Sequence, residues 1–125
     1  MNAGLFDLTG KNALVTGGAQ GLGRMIAEGL LRAGATVAIT SRKADICEAA
    51  AYEMAALGKC IALPADLSTP EAAVDLAQRY RETVGGTLHV LVNNAGKTWG
   101  GTVDTFPDKA WPGVMMVNVQ TPFTL

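Results

Sequence analysis

The chain has 125 residues, 49% of them hydrophobic and 17% charged, with a formal net charge of −1. That is enough apolar material for one domain with a real core, and it excludes a disordered or polyanion-binding chain. Lys and Arg are scattered rather than clustered, which argues against nucleic acid as a partner, and no apolar run approaches the ~20 residues of a membrane span.

The first eleven residues lack a basic segment followed by an apolar one, so they do not read as a signal peptide. A first strand is predicted at residues 13–16 (Ala-Leu-Val-Thr), apolar throughout as in a strand buried on both faces. It runs into Thr16-Gly-Gly-Ala-Gln-Gly-Leu-Gly23, after which a helix opens with Ile26, Leu30 and Ala33 on its apolar face and Gly34 at its end. A second strand follows at residues 36–40, then a helix marked by Ile46, Ala50, Met54 and Leu57 and closed by Gly58. The third strand spans residues 60–63. The third helix opens with Ser68-Thr-Pro-Glu71, where Ser68 can cap and Glu71 can reach back; Ala73, Ala77, Tyr80 and Val84 form its face and Gly85 its end. A fourth strand occupies residues 88–92, residues 97–106 read as a loop, and a last helix starts near Pro107 or Pro112. Strand and helix alternate three times with no linker between, which predicts one α/β domain over 1–125 with a doubly wound parallel sheet. Cys47 and Cys60 have no pair of histidines near them and read as reduced, packed thiols of a cytosolic protein, not as metal ligands.

The glycine-rich turn is the first feature with chemical content. Backbone N–H groups there can approach a pyrophosphate, with the positive end of the helix dipole behind them. A side chain at Gly17, Gly21 or Gly23 would block the turn, the ligand or the helix–strand contact; a tight turn with no ligand is the plainer alternative. There is no G-x-x-x-x-G-K-[ST], which excludes a P-loop. At the end of the second strand an NAD-selective domain places a carboxylate for the ribose 2′-OH. This chain has Thr40-Ser41-Arg42 instead, and a guanidinium beside a hydroxyl suits a 2′-phosphate. Asp66-Leu67 and Asn93-Asn-Ala-Gly96 follow the third and fourth strands, at the ends where open α/β sheets bind ligands.

In combination, T-G-x-x-x-G-x-G at residues 16–23 and N-N-A-G at 93–96 resemble the short-chain dehydrogenase/reductase family, and the likeness runs from residue 8 to 123. The resemblance implies a Rossmann-type sheet of strand order 3-2-1-4 and NADP(H) as cofactor. It implies that Gly17, Gln20, Gly21 and Leu22 line the pyrophosphate, Ser41 and Arg42 hold the 2′-phosphate, Asp66 and Leu67 meet the adenine, and Asn94, Ala95 and Gly96 lie along the adenosine ribose. The implied reaction is hydride transfer between NADP(H) and a ketone or secondary alcohol. The Asn-Ala-Gly-Lys-Thr-Trp-Gly run looks similar to 3-oxoacyl reductases, those associated with rhamnolipid synthesis among them. The family also implies a homodimer or homotetramer.

Asn118 matches the asparagine of the family's catalytic tetrad, which helps hold a water in a proton relay. The serine and the Tyr-x-x-x-Lys pair of that tetrad do not occur within residues 1–125: Ala56 stands four residues after Tyr52, and Val84 four after Tyr80. The 125-residue chain by itself is therefore expected to be inactive. A non-catalytic NADP-binding sensor is the rival reading, and a methyltransferase on a related fold is disfavoured by Arg42 in place of an acid. Two departures from the family bear on these expectations. Gln20 stands where many NADP-preferring members carry a basic residue, and Pro112-Gly113 interrupts a region where relatives run a continuous helix. Trp99 reads equally as a substrate-pocket wall or a loop anchor. His89, at the far end of the fourth strand, has no expected catalytic part.

Overall fold

The computed structural model describes residues 4–125. In chain order it contains β1 (Asn12–Val15), α1 (Gly21–Arg32), β2 (Thr36–Ile39), α2 (Ala44–Met54), β3 (Cys60–Ala62), α3 (Pro70–Thr83) and β4 (Val90–Val92). A helical run then comprises a 3₁₀ turn at Asp108–Ala110, α4 (Trp111–Met115), a widened π-type turn at Met116–Gln120 and α5 (Thr121–Thr124). The four strands are parallel in the order β3-β2-β1-β4, as expected of a Rossmann-type α/β fold.

The unbroken apolar runs of β1 and β2 follow from helices on both faces. Ala13, Val15, Val37 and Ile39 point to one face and pack with Ala27 and Leu31 of α1 and Cys47, Ala50 and Met54 of α2. Leu14 and Ala38 point to the other and pack with Leu63, Leu67, and Leu76 and Tyr80 of α3. Complete burial of a Leu or Ile contributes about 1.5–3 kcal/mol, so these strands carry much of the fold's stability. The residues of β3 and β4, expected to be just as enclosed, are only half-buried, because each strand pairs on one side alone.

Four local expectations need correction. The core stripe of α1 is Gly23, Ala27 and Leu31, with Ile26 and Leu30 at its margin; the apolar face had been centred one residue away. The cap of α3 is Thr69, not Ser68: Thr69 Oγ1 accepts a hydrogen bond from the Ala72 N–H at 3.2 Å, and Pro70 occupies the first turn, where its missing donor costs nothing. Glu71 makes no return bond among the described residues. Gly34 and Gly85 do follow their helices in the left-handed region (φ 103° and 71°), whereas α2 ends at the Ala55 cap, three residues before Gly58. Pro112 does not break the last helix, because it too lies in a first turn. The irregularity comes one turn later. Pro122 has no N–H to give the Asn118 carbonyl four residues back and its ring crowds that carbonyl, and the backbone widens there so that the Thr121 N–H reaches Met116 O.

Candidate nucleotide site

The carboxyl ends of the four strands open into one cavity of about 620 Å³. Its floor is the turn between β1 and α1. Gly17 and Gly21 there have φ of 64° and 56°, conformations that L side chains rarely adopt. Space is equally restrictive. A Cβ on Gly17 would fall 3.0 Å from Asn94 Nδ2, and one on Gly23 would collide with the Gly17 carbonyl and the Asn94 amide. One on Gly18 would lie 2.7 Å from Ile39 Cγ2, so this glycine, not singled out in the sequence, lets the turn settle onto β2. Gln20, with extended backbone, precedes α1 and gives it no side-chain cap. The first N–H groups of this 12-residue helix thus have no side-chain cap, at the end of the helix that adjoins the cavity through Gln20.

Thr16 ties this turn to the one after β4. Its Oγ1 accepts from the Asn94 and Ala95 N–H groups at 3.0 and 2.9 Å and lies 3.3 Å from the Val92 carbonyl, to which it donates. Asn94 Nδ2 in turn donates to the Gly17 carbonyl at 3.2 Å. The two motifs that stood 70 residues and more apart in the sequence are therefore one hydrogen-bonded body.

Nine of the eleven residues singled out for a nucleotide line the cavity: Gly17, Gln20, Ser41, Arg42, Asp66, Leu67, Asn94, Ala95 and Gly96. Gly21 and Leu22 do not. Gly21 shapes the turn, and the Leu22 side chain points outward, 65% exposed. Leu67 turns its side chain into the core, and its carbonyl accepts from Thr121 Oγ1 at 2.8 Å, so it forms wall and not contact surface. Lys97 and Thr98, noted in the sequence only within the Asn-Ala-Gly-Lys-Thr-Trp-Gly run, also line the cavity, as does Val117, which carried no signal.

Asn118 sits on the widened turn beside this cavity. Its Oδ1 accepts from the Lys97 N–H and its Nδ2 donates to the Lys97 carbonyl, both at 2.8 Å. This pair of bonds holds the segment after β4 against the last helical run, and one N–H and one acceptor position of the amide remain.

The other titratable groups stay away. His89 lies at the opposite end of the sheet, where its Nδ1 accepts from the Asn12 N–H at 3.0 Å. Tyr52 is exposed on α2 and Tyr80 buried on α3, its hydroxyl without a partner and its pKa raised by burial. Burial likewise pushes the Cys47 thiol up and Cys60 up to about 11, as suits packed thiols. Trp99 is 44% exposed, with Lys109 Nζ 6.0 Å above its ring. Among the described residues no three His, Cys, Asp or Glu side chains gather as a metal site would require, and no helix is long and apolar enough to cross a membrane.

Comparison with known proteins places this geometry. The family model for short chain dehydrogenase matches residues 11–125. The chain is 47% identical over 119 residues to the rhamnolipids biosynthesis 3-oxoacyl-[acyl-carrier-protein] reductase of Pseudomonas aeruginosa, covering 95% of this chain and 46% of that protein. It is 37% identical over 120 residues to the 5-keto-D-gluconate 5-reductase of Escherichia coli, covering 95% of this chain and 47% of that one. Among solved structures, the RhlG/NADP active-site complex of Pseudomonas aeruginosa superposes with a TM-score of 0.90 at 47% identity, over 95% of this chain and 46% of that chain. The L-sorbose reductase of Gluconobacter frateurii, complexed with NADPH and L-sorbose, gives 0.90 at 29% identity, over 100% and 47%. The chain spans about half the length of the relatives it matches. A glycine turn on β1, an amide turn on β4 and a family match over almost every residue agree: the chain belongs to the short-chain dehydrogenase family.

Proposed function

We propose that this chain forms the NADP(H)-binding domain of a reductase that moves a hydride between NADP(H) and a ketone or secondary alcohol, with a 3-oxoacyl compound as the substrate class. The observation that carries the reading is the end of β2. Ser41 and Arg42 line the cavity there, and no carboxylate stands at that position to favour a free 2′-OH. The cradle fits a dinucleotide: without Cβ atoms Gly17 and Gly23 let the turn close tightly against Asn94, and the first turn of α1 has no side-chain cap. On this reading Gly17, Gln20 and Gly21 would hold the pyrophosphate, with Leu22 adding its backbone alone. Arg42 and Ser41 hold the 2′-phosphate, Asp66 and Leu67 border the adenine, and Asn94, Ala95 and Gly96 the ribose. A nicotinamide bound there would supply the hydride to a ketone or take it from an alcohol. Asn118 then acts chiefly as a positioning residue, fixing Lys97 and the strand end beside the reacting face.

Binding tests the reading directly. Fluorescence titration should show NADPH bound more tightly than NADH. Arg42→Asp should abolish the difference, since a charge-assisted contact to phosphate contributes about 1.5–3 kcal/mol. Equal affinity for the two nucleotides in the unmutated protein overturns it. Turnover is the second arm. Reduction leaves an oxygen that needs a proton, and neither Tyr52 nor Tyr80 has a lysine four residues on. A polypeptide of residues 1–125 should therefore oxidise no NADPH with any ketone, while the whole protein should reduce a 3-oxoacyl thioester.

Self-association belongs to the same proposal. Trp111, Met115, Val119 and Phe123 recur every four residues along the last helical run and are 56%, 46%, 54% and 91% exposed. Such an apolar stripe favours a homodimer or homotetramer. Sedimentation of the whole protein, with and without Met115→Glu, reads this out.

A further inference from the structure

Lys97 lies in the mouth of the cavity, and Lys109 on the last helical run has its ammonium over Trp99, two residues on from Lys97. The Lys97 backbone is held at both N–H and C=O by Asn118. Its side chain runs along the last helical run at Gly113: a Cβ on that glycine would fall 2.7 Å from Nζ, 3.5 Å from Cε and 3.7 Å from Cδ. Gly113 is thus the notch in which this ammonium rests. Lys109 lies one helical turn before Gly113. Among the described residues neither lysine has an ion pair. Asp66, the sole acid lining the cavity, follows β3 on the other side of β2.

Topology says which part of a ligand Lys97 faces. β1 lies between β2 and β4, so the glycine turn after β1 separates Arg42, which follows β2, from Lys97, which follows β4. A dinucleotide with its pyrophosphate over the glycine turn and its 2′-phosphate at Arg42 sends its reacting end toward Lys97. We infer that Lys97 is a specificity-determining cation that binds an anionic group, carboxylate or phosphate, on the ketone substrate. The inference rests on the reductase reading above. A side chain already laid in a notch loses little freedom on pairing, and a charged partner for it strengthens binding by about tenfold or more.

The test uses the whole protein with levulinate, dihydroxyacetone phosphate and the neutral methyl ester of levulinate. Calorimetric titration into the NADP⁺-loaded protein and steady-state reduction with NADPH are both read as the ratio of anionic to neutral ligand. Lys97→Met keeps an unbranched stem and removes the charge; the ratio should fall about tenfold, carried by KM, while Lys97→Arg retains most of it. Gly113→Ala, which displaces the ammonium without deleting it, should lower the ratio by less. Preference for either anion sustains the proposal, and comparison of the two names the head group. The proposal is overturned if the unmutated protein prefers neither anion, if Lys97→Met weakens all three ligands equally, or if it weakens NADPH itself. Should no ketone be reduced at all, the reductase reading fails alone, because the calorimetric ratio still decides the role of Lys97.

Discussion

β2 and β4 look alike as sequence: Thr-Val-Ala-Ile and Val-Leu-Val are short, apolar and branched. In the structure Val37, Ala38 and Ile39 are wholly buried, whereas Val90, Leu91 and Val92 are only half covered. β2 has a strand on each side and helices on both faces; β4 pairs with β1 alone. The pattern of a strand reports the surroundings it is built for. The burial it receives depends on which neighbours are there to provide it.

The largest test of that contrast is truncation in each strand. Ile39→Ala should cost about 2–5 kcal/mol in denaturant unfolding, as full truncations in packed cores do. Val92→Ala in β4 should cost about 1 kcal/mol, the lower end of what a lost apolar contact gives. Equal losses would remove the distinction. Next comes Gly23→Ala, where the new methyl meets the Gly17 carbonyl and the Asn94 amide. Overpacking of this kind costs about 1–3 kcal/mol, and NADPH binding should vanish with it. Native-state hydrogen exchange sharpens the comparison further. Amides of β4 and of residues 108–124 should open with free energies below those of β1 and β2 by about 1–2 kcal/mol, since half-buried elements belong to the weaker cooperative units. In the 125-residue polypeptide the same weakness, together with the open edge of β4, should give a broad unfolding transition that depends on protein concentration. The smallest effect expected is at the start of α3. Thr69→Ala should cost about 1 kcal/mol and Ser68→Ala less than about 0.5 kcal/mol.

Fold order and cavity position were legible in the sequence because both depend on residues whose chemistry is local. Glycines at 17, 21 and 23, the break from strand to helix, and polar residues at each strand end all leave marks in the order of letters. What was not legible depends on rotation and on space. The face of α1 was misjudged by one residue because Ile26 and Leu30 are larger than Ala27 and Gly23, yet the small residues are those that let the helix approach the sheet. Thr69 and Ser68 offer the same cap chemistry, and only the backbone decided between them. Gly18 has no reading of its own in the sequence and Gly113 reads only as part of a helix interruption; what each accommodates, Ile39 and the Lys97 ammonium, comes from distant sequence. Asn118 was found by resemblance, but its engagement with the Lys97 backbone had no sequence signal.

The hydroxyl of Thr16 has a consequence for the time course of folding. Its partners Val92, Asn94 and Ala95 stand 76 to 79 residues later in the chain. On a ribosome adding about 5–20 residues per second, the glycine turn therefore emerges several seconds before the groups that fix its shape. Contacts of such long sequence separation form late, since loop-closure entropy opposes them until other structure has brought the ends together. A nascent chain ending before β4 would carry every glycine of the motif and still hold no nucleotide, so competence for the ligand waits for β4, although its signature is among the first to be made.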